Sequence, residues 1–197
     1  MKLQLASALV FASLFGAMSA HADEAIPRMT PATDCFKAAA KVSRTGTALP
    51  DVLHKDALVS CAQALGEKMT TKDRIATLVN RGTIEAASGD IDSSLADYDA
   101  ALTINPNMAD IYIDRGSALM RAARYEDART NFDMALSLGP TNAYIAYFDR
   151  GMAQEKTGNL TAAYADYKQA ATLAPDYQPA RAVLARFQTV ARPSGHG

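Results

Sequence analysis

The sequence predicts an all-α protein, a solenoid of antiparallel helix hairpins, and three observations carry that prediction. The tripeptide Asp114-Arg115-Gly116 returns as Asp149-Arg150-Gly151 and, with an amide for the acid, as Asn80-Arg81-Gly82, at spacings of 34 and 35 residues. Pro106, Pro140 and Pro175 recur at the same spacings. A third series sets a small residue, an aromatic ring and an alanine at helical intervals: Ser94, Tyr98 and Ala101, then Ala128, Phe132 and Ala135, then Ala163, Tyr167 and Ala170. A catalytic motif has no need to appear three times at a fixed period, whereas a unit stacked on copies of itself does.

The units run over residues 75–108, 109–142 and 144–177, with the single extra residue in the loop at 141–143. Each holds two amphipathic helical patterns. The turn between them is plain at Ser88-Gly89-Asp90 and Thr157-Gly158-Asn159, where glycine tolerates a left-handed helix end, and weaker at Ala123-Arg124. Proline then stops the second helix, because it lacks a backbone N–H and cannot continue a helix interior. One such hairpin cannot bury its own apolar face, so neighbours and caps are expected.

Residues 23–70 supply the amino-terminal cap, a further hairpin whose helices span about 31–44 and 51–66 around the turn at 45–50. Cys35 and Cys61 lie equally far from that turn, which would bring them side by side on antiparallel helices. In an oxidising compartment such a pair forms a disulfide. No C-x-x-C spacing favours redox chemistry. Thr70 followed by Asp73 marks the helix start of the first unit, within a repeat region taken as 71–177. Residues 178–192 form the carboxy-terminal capping helix, with Ala182, Val183, Leu184, Phe187 and Val190 on its apolar side, and residues 193–197 are expected to fray.

The leading residues combine Lys2, an apolar run to about Ala17 and the small residues of Ala20-His21-Ala22, the layout of a secretory signal peptide cleaved after Ala22. The run is shorter than the roughly 20 residues that span a bilayer. The expected mature protein is exported and begins at Asp23; in a Gram-negative cell it would reside in the periplasm. With 20 Lys plus Arg against 21 Asp plus Glu, nothing marks a nucleic-acid or anionic-membrane surface. The three histidines are scattered, no phosphate loop or nucleophile elbow is present, and neither a metal, a cofactor nor an enzymatic activity is expected.

In period, turn and residue classes the three units resemble the tetratricopeptide repeat. The middle unit carries the resemblance in Tyr112, Gly116, Ala128, Phe132, Ala135 and Pro140, and the third in Tyr147, Gly151, Ala163, Tyr167, Ala170 and Pro175. The resemblance implies a right-handed superhelical solenoid whose first helices line a concave groove. It places Val79, Thr83, Ala86, Ile113, Ser117, Met120, Arg121, Phe148, Met152, Glu155 and Lys156 on that groove. Apolar Val79, Ile113 and Phe148 stand where a chaperone-binding subfamily holds a terminal carboxylate, so a carboxylate clamp is not expected.

Arg81, Arg115 and Arg150 replace the leucine usual before the glycine. Sixteen residues after each comes Asp97, Asn131 or Asp166, and a tie between the two helices of each hairpin is the expected reason. Asp114 and Asp149 are expected to bridge neighbouring units; the competing reading is an anion-binding arginine row. The implied function is that of an adaptor or scaffold holding a protein or peptide. The alternatives are a self-assembling envelope protein, with homo-oligomerisation possible and the groove filled by its own helix, and, more remotely, an envelope enzyme with an unrecognised site.

Overall fold

A computed structural model describes residues 30–190, with side chains to Phe187. The signal segment, the cleavage site and the tail at 193–197 lie outside the described residues. Among those described, nine helices and no strands occur: α1 (Pro31–Thr45), α2 (Asp51–Gly66), α3 (Thr71–Ser88), α4 (Ile91–Ile104), α5 (Ala109–Arg121), α6 (Tyr125–Leu138), α7 (Ala143–Lys156), α8 (Leu160–Leu173) and α9 (Gln178–Val190). Among the described residues no helix is long and apolar enough to cross a membrane.

Helices α3 and α4, α5 and α6, and α7 and α8 pair as the three hairpins; α4 packs on α5 and α6 on α7, and the first helices α3, α5 and α7 are neighbours in turn. Each hairpin is held close by the same device. Tyr98, Phe132 and Tyr167 are at most 2% exposed, and each ring lies over the glycine of its own hairpin, Gly82, Gly116 or Gly151. Ala101, Ala135 and Ala170 are fully buried beside them.

The turns inside the units share one backbone solution. Gly89, Ala123 and Gly158 all take positive φ, at 92°, 56° and 84°. Paired bonds of the type Asp90 N–H to Glu85 O and Gly89 N–H to Ala86 O recur at Arg124 and Ala123 and at Asn159 and Gly158, the signature of a Schellman end. Asp90 and Asn159 then cap the following helices, accepting from Ser93 and Ala162 N–H, while Arg124 gives no side-chain cap. The weak middle turn therefore keeps the geometry of the other two without their residues.

At the amino-terminal end α1 packs on α2 and both pack on α3. Cys35 and Cys61 form a disulfide, fully buried with Ala39, Val42, Leu49 and Ala57 against Ile84 of α3. Thr70 caps α3: its hydroxyl accepts from Asp73 N–H and donates to the Asp73 carboxylate at 2.7 Å. At the other end α9 packs on α8, burying Ala180 with Phe148, Ala163 and Tyr167, and Phe187 rests against Tyr164 and Tyr167.

Candidate partner-binding groove

The recurrent arginines are occupied by structural bonds. Arg81 grips Asp97 with two parallel hydrogen bonds of 2.7 and 2.6 Å, and Arg150 grips Asp166 with two of 2.7 Å. Arg115 donates to the Asn131 side-chain oxygen at 3.0 Å. Arg115 also reaches back to Asp99 on α4 at 2.8 Å, and Arg150 to Asp133 on α6 at 2.8 Å. The link from unit to unit thus runs through these arginines. Asp97 is buried, because the guanidinium satisfies both its oxygens. The Asp166 carboxylate holds the Arg150 proton above its ordinary range, and Asp97 does the same for Arg81.

The acids beside the arginines behave differently. Asp149 reaches one unit back, accepting from the Ser117 hydroxyl at 3.4 Å. Asp114, expected as a bridge of the same kind, makes no comparable bond: it looks into a half-open cavity of about 160 Å³. Helix geometry sets that view, since Asp114, Ser117, Ala118 and Arg121 follow one face of α5 at intervals of three and four residues and all line the cavity. Across from them stand Thr83, Ala86 and Ala87 of α3, Tyr98 of α4, and Val42, Ser43 and Gly46 at the end of α1. The Tyr98 and Thr83 hydroxyls approach to 3.4 Å.

Electrostatics in this region run against ionised acids. Burial, with the carboxylates of Asp110 and Asp149 nearby, pushes the Asp114 carboxyl up to about 7. Burial pushes Asp149 up to about 6, the Ser117 hydroxyl opposing it. Tyr98 is raised to about 12 by burial and by the Asp114 charge. Deeper in the first hairpin, burial and Asp97 push Glu85 up to about 7 although Arg81 stands 4.0 Å away, and Glu85 Oε2 has no hydrogen-bond partner among the described residues.

Of the residues expected on the groove, Val79, Thr83, Ser117, Met120, Met152 and Glu155 are partly exposed, and Arg121 and Lys156 are exposed. Ala86, Ile113 and Phe148 are instead buried, each 8% exposed. Phe148 turns inward to meet the rings of Tyr167 and Tyr177 at 5.4 and 5.3 Å. Ile113 joins the central core. The residue after each, Asp114 or Asp149, is the one left partly exposed. At the α7 end Glu155 is engaged by α9: Arg186 donates to one carboxylate oxygen at 2.5 Å and the Tyr167 hydroxyl to the other at 2.8 Å.

The sequence predicts packing roles for Asp114 and Asp149 and a core role alone for Tyr98. The signal was present in the interval of three between Asp114 and Ser117, which sets both on one face; Ile113, four residues before Ser117, satisfies a helical interval as well.

Stacked helix hairpins with an open face on their first helices define a helical-repeat protein. The tetratricopeptide repeat profile matches residues 79–143 and 113–178, and the chain belongs to that family. It is 31% identical over 68 residues to the human tetratricopeptide repeat protein 6, a match that takes in 34% of this chain and 13% of that protein's length. Among solved structures it resembles PilW, a type IV pilus biogenesis factor, with TM-score 0.65 and 25% identity over 81% of this chain and 70% of that one. It also resembles the first such domain of Spaghetti (RPAP3) bound to an HSP90 peptide, with TM-score 0.57 and 22% identity over 63% of this chain and 98% of that one.

Proposed function

We propose that this protein is an exported adaptor that holds a segment of a partner protein against the first helices of its repeats. One observation carries the proposal: the recurrent arginines of the first helices are taken up by bonds to the second helices, whereas the α5 face keeps Asp114, Ser117 and Arg121 around a half-open cavity. Buried polar groups are ordinarily satisfied within a fold, so an incompletely satisfied face is where a ligand's groups fit. Likeness to a repeat domain solved with a peptide supports the same reading. Export rests on the signal-peptide layout of the leading segment, with cleavage expected after Ala22.

The test is photo-crosslinking in the native cell from a probe at Val79, which is partly exposed on α3. The expected result is one foreign protein, lost when Ser117→Trp blocks the neighbouring face; capture of this chain alone, or of nothing, overturns the proposal. Amino-terminal sequencing of the mature protein checks export, with Asp23 expected first. A second reading, self-association, draws on Phe36, Val52, Leu53 and Val59, which are 46% to 70% exposed on the disulfide hairpin. Light scattering of the purified protein distinguishes it, a dimer mass favouring this alternative.

A further inference from the structure

Five acids of this solenoid are met by an arginine from another helix. Asp97 has Arg81, Asp99 has Arg115, Asp133 and Asp166 have Arg150, and Glu155 has Arg186. Asp114 has no such partner among the described residues. Partly exposed, it lines the cavity and has no hydrogen bond or ion pair with a described residue. The acids closest in influence, Asp110 and Asp149, repel its charge, and Asp149 has only the long bond from Ser117.

We propose that the cavity at Asp114 receives a basic side chain, lysine or arginine, from the segment lying in the groove. The proposal rests on the adaptor reading and specifies the chemistry of its partner. A volume of about 160 Å³ falls below the roughly 300 Å³ at which small-molecule pockets begin and equals about five waters, which suits a single long side chain. The walls divide as such a side chain requires. Val42, Ala86, Ala87 and Ala118 offer apolar contact to the methylene stem. At the charged end lie the Asp114 carboxylate and the hydroxyls of Thr83, Ser117 and Tyr98.

Beside Asp114, charge disfavours an acidic occupant. A carboxylate entering here would meet Asp114, with Asp110 and Asp149 adding to the repulsion. Arg121 also lines the cavity but stands seven residues along α5 from Asp114, about 10 Å by helical rise, and forms no ion pair with it. Helix α1 and the residue that follows it contribute Val42, Ser43 and Gly46 to the lining and no charge. An arriving ammonium or guanidinium stabilises the ionised acids, so binding releases protons below about pH 7 and tightens between pH 5 and pH 8.

The experiment is an NMR titration of the purified, disulfide-intact protein with N-acetyl-arginine methylamide, and with the citrulline analogue as its neutral isostere. Saturable shifts at the Asp114, Ser117 and Thr83 amides are expected with arginine, with affinity at least about tenfold above citrulline, the ratio for one charge-assisted hydrogen bond. Asp114→Asn should abolish that preference while the fold, followed by the dispersion of the other amides, is retained. Equal response to both probes, or an arginine preference surviving in Asp114→Asn, overturns the proposal. The in-cell probe at Val79 separates the two readings: undiminished capture of the same partner by Asp114→Asn keeps the adaptor and rejects the basic anchor, whereas weakened capture supports both.

Discussion

A methyl group placed on Gly116 would lie 2.6 Å from Cε1 of Phe132, inside the distance that carbon atoms tolerate. Phe132 is fully buried and cannot swing away. Gly116→Ala gains about 1 kcal/mol of helix propensity but overpacks the hairpin by about 1–3 kcal/mol, so a net loss is expected. Urea unfolding should show a lower midpoint with an unchanged slope.

Arg150 joins α7 to Asp166 of its own hairpin and to Asp133 of the preceding one. Arg150→Met leaves the Asp166 carboxylate, 8% exposed at its side chain, without its counter-charge. A loss of about 3 kcal/mol is expected. Adding Asp166→Asn should recover part of it, which a double-mutant cycle measures.

Ala123 sits at φ 56°, where Gly89 and Gly158 serve the other two units. A left-handed backbone costs a side-chain-bearing residue about 1–2 kcal/mol, and glycine's greater freedom when unfolded takes back part of the gain. Ala123→Gly is therefore expected to stabilise the protein by about 0.5–1 kcal/mol, read as a rise in thermal midpoint.

Asp114 titrates near 7 when folded and near the ordinary aspartate value, about 4, when unfolded. Between those values the folded state holds a proton that the unfolded state has released, so the contribution of Asp114 to stability falls as pH rises from 4 to 7 and levels off above. Asp114→Asn removes the group. Its thermal midpoint should match the parent near pH 4 and exceed it at pH 8; a constant difference across that range would contradict the assignment.

The disulfide closes a loop across 26 residues of sequence separation and holds the hairpin that packs on Ile84. Replacing both Cys35 and Cys61 with alanine should cost about 3 kcal/mol in the chain-entropy picture. Amide exchange should then rise first in α1 and α2, ahead of the repeats.

Much of the fold was legible because its signals are local. The glycine and proline series set the hairpins, and the aromatic residue of each second helix meets the glycine of the first. The interval of sixteen from Arg81 to Asp97, and its two copies, paired residues across each hairpin. The second set of bonds, Arg115 to Asp99 and Arg150 to Asp133, was not legible, because it depends on how far one hairpin rotates against the next. Rotation also decided the groove: Phe148 turned inward to the rings of Tyr167 and Tyr177, and Asp149 beside it was left partly exposed.

The sequence by itself determined a stack of helix hairpins, since period, turn residues and core spacing are properties of single units repeated along the chain. Only the tertiary structure decided what that stack presents outward. Asp114 meets Tyr98, Thr83 and the end of α1 across one cavity, although these residues are scattered along the chain. A helical interval assigns a residue to a face of its own helix; the packing of neighbouring helices determines whether that face is core, ion pair or open groove.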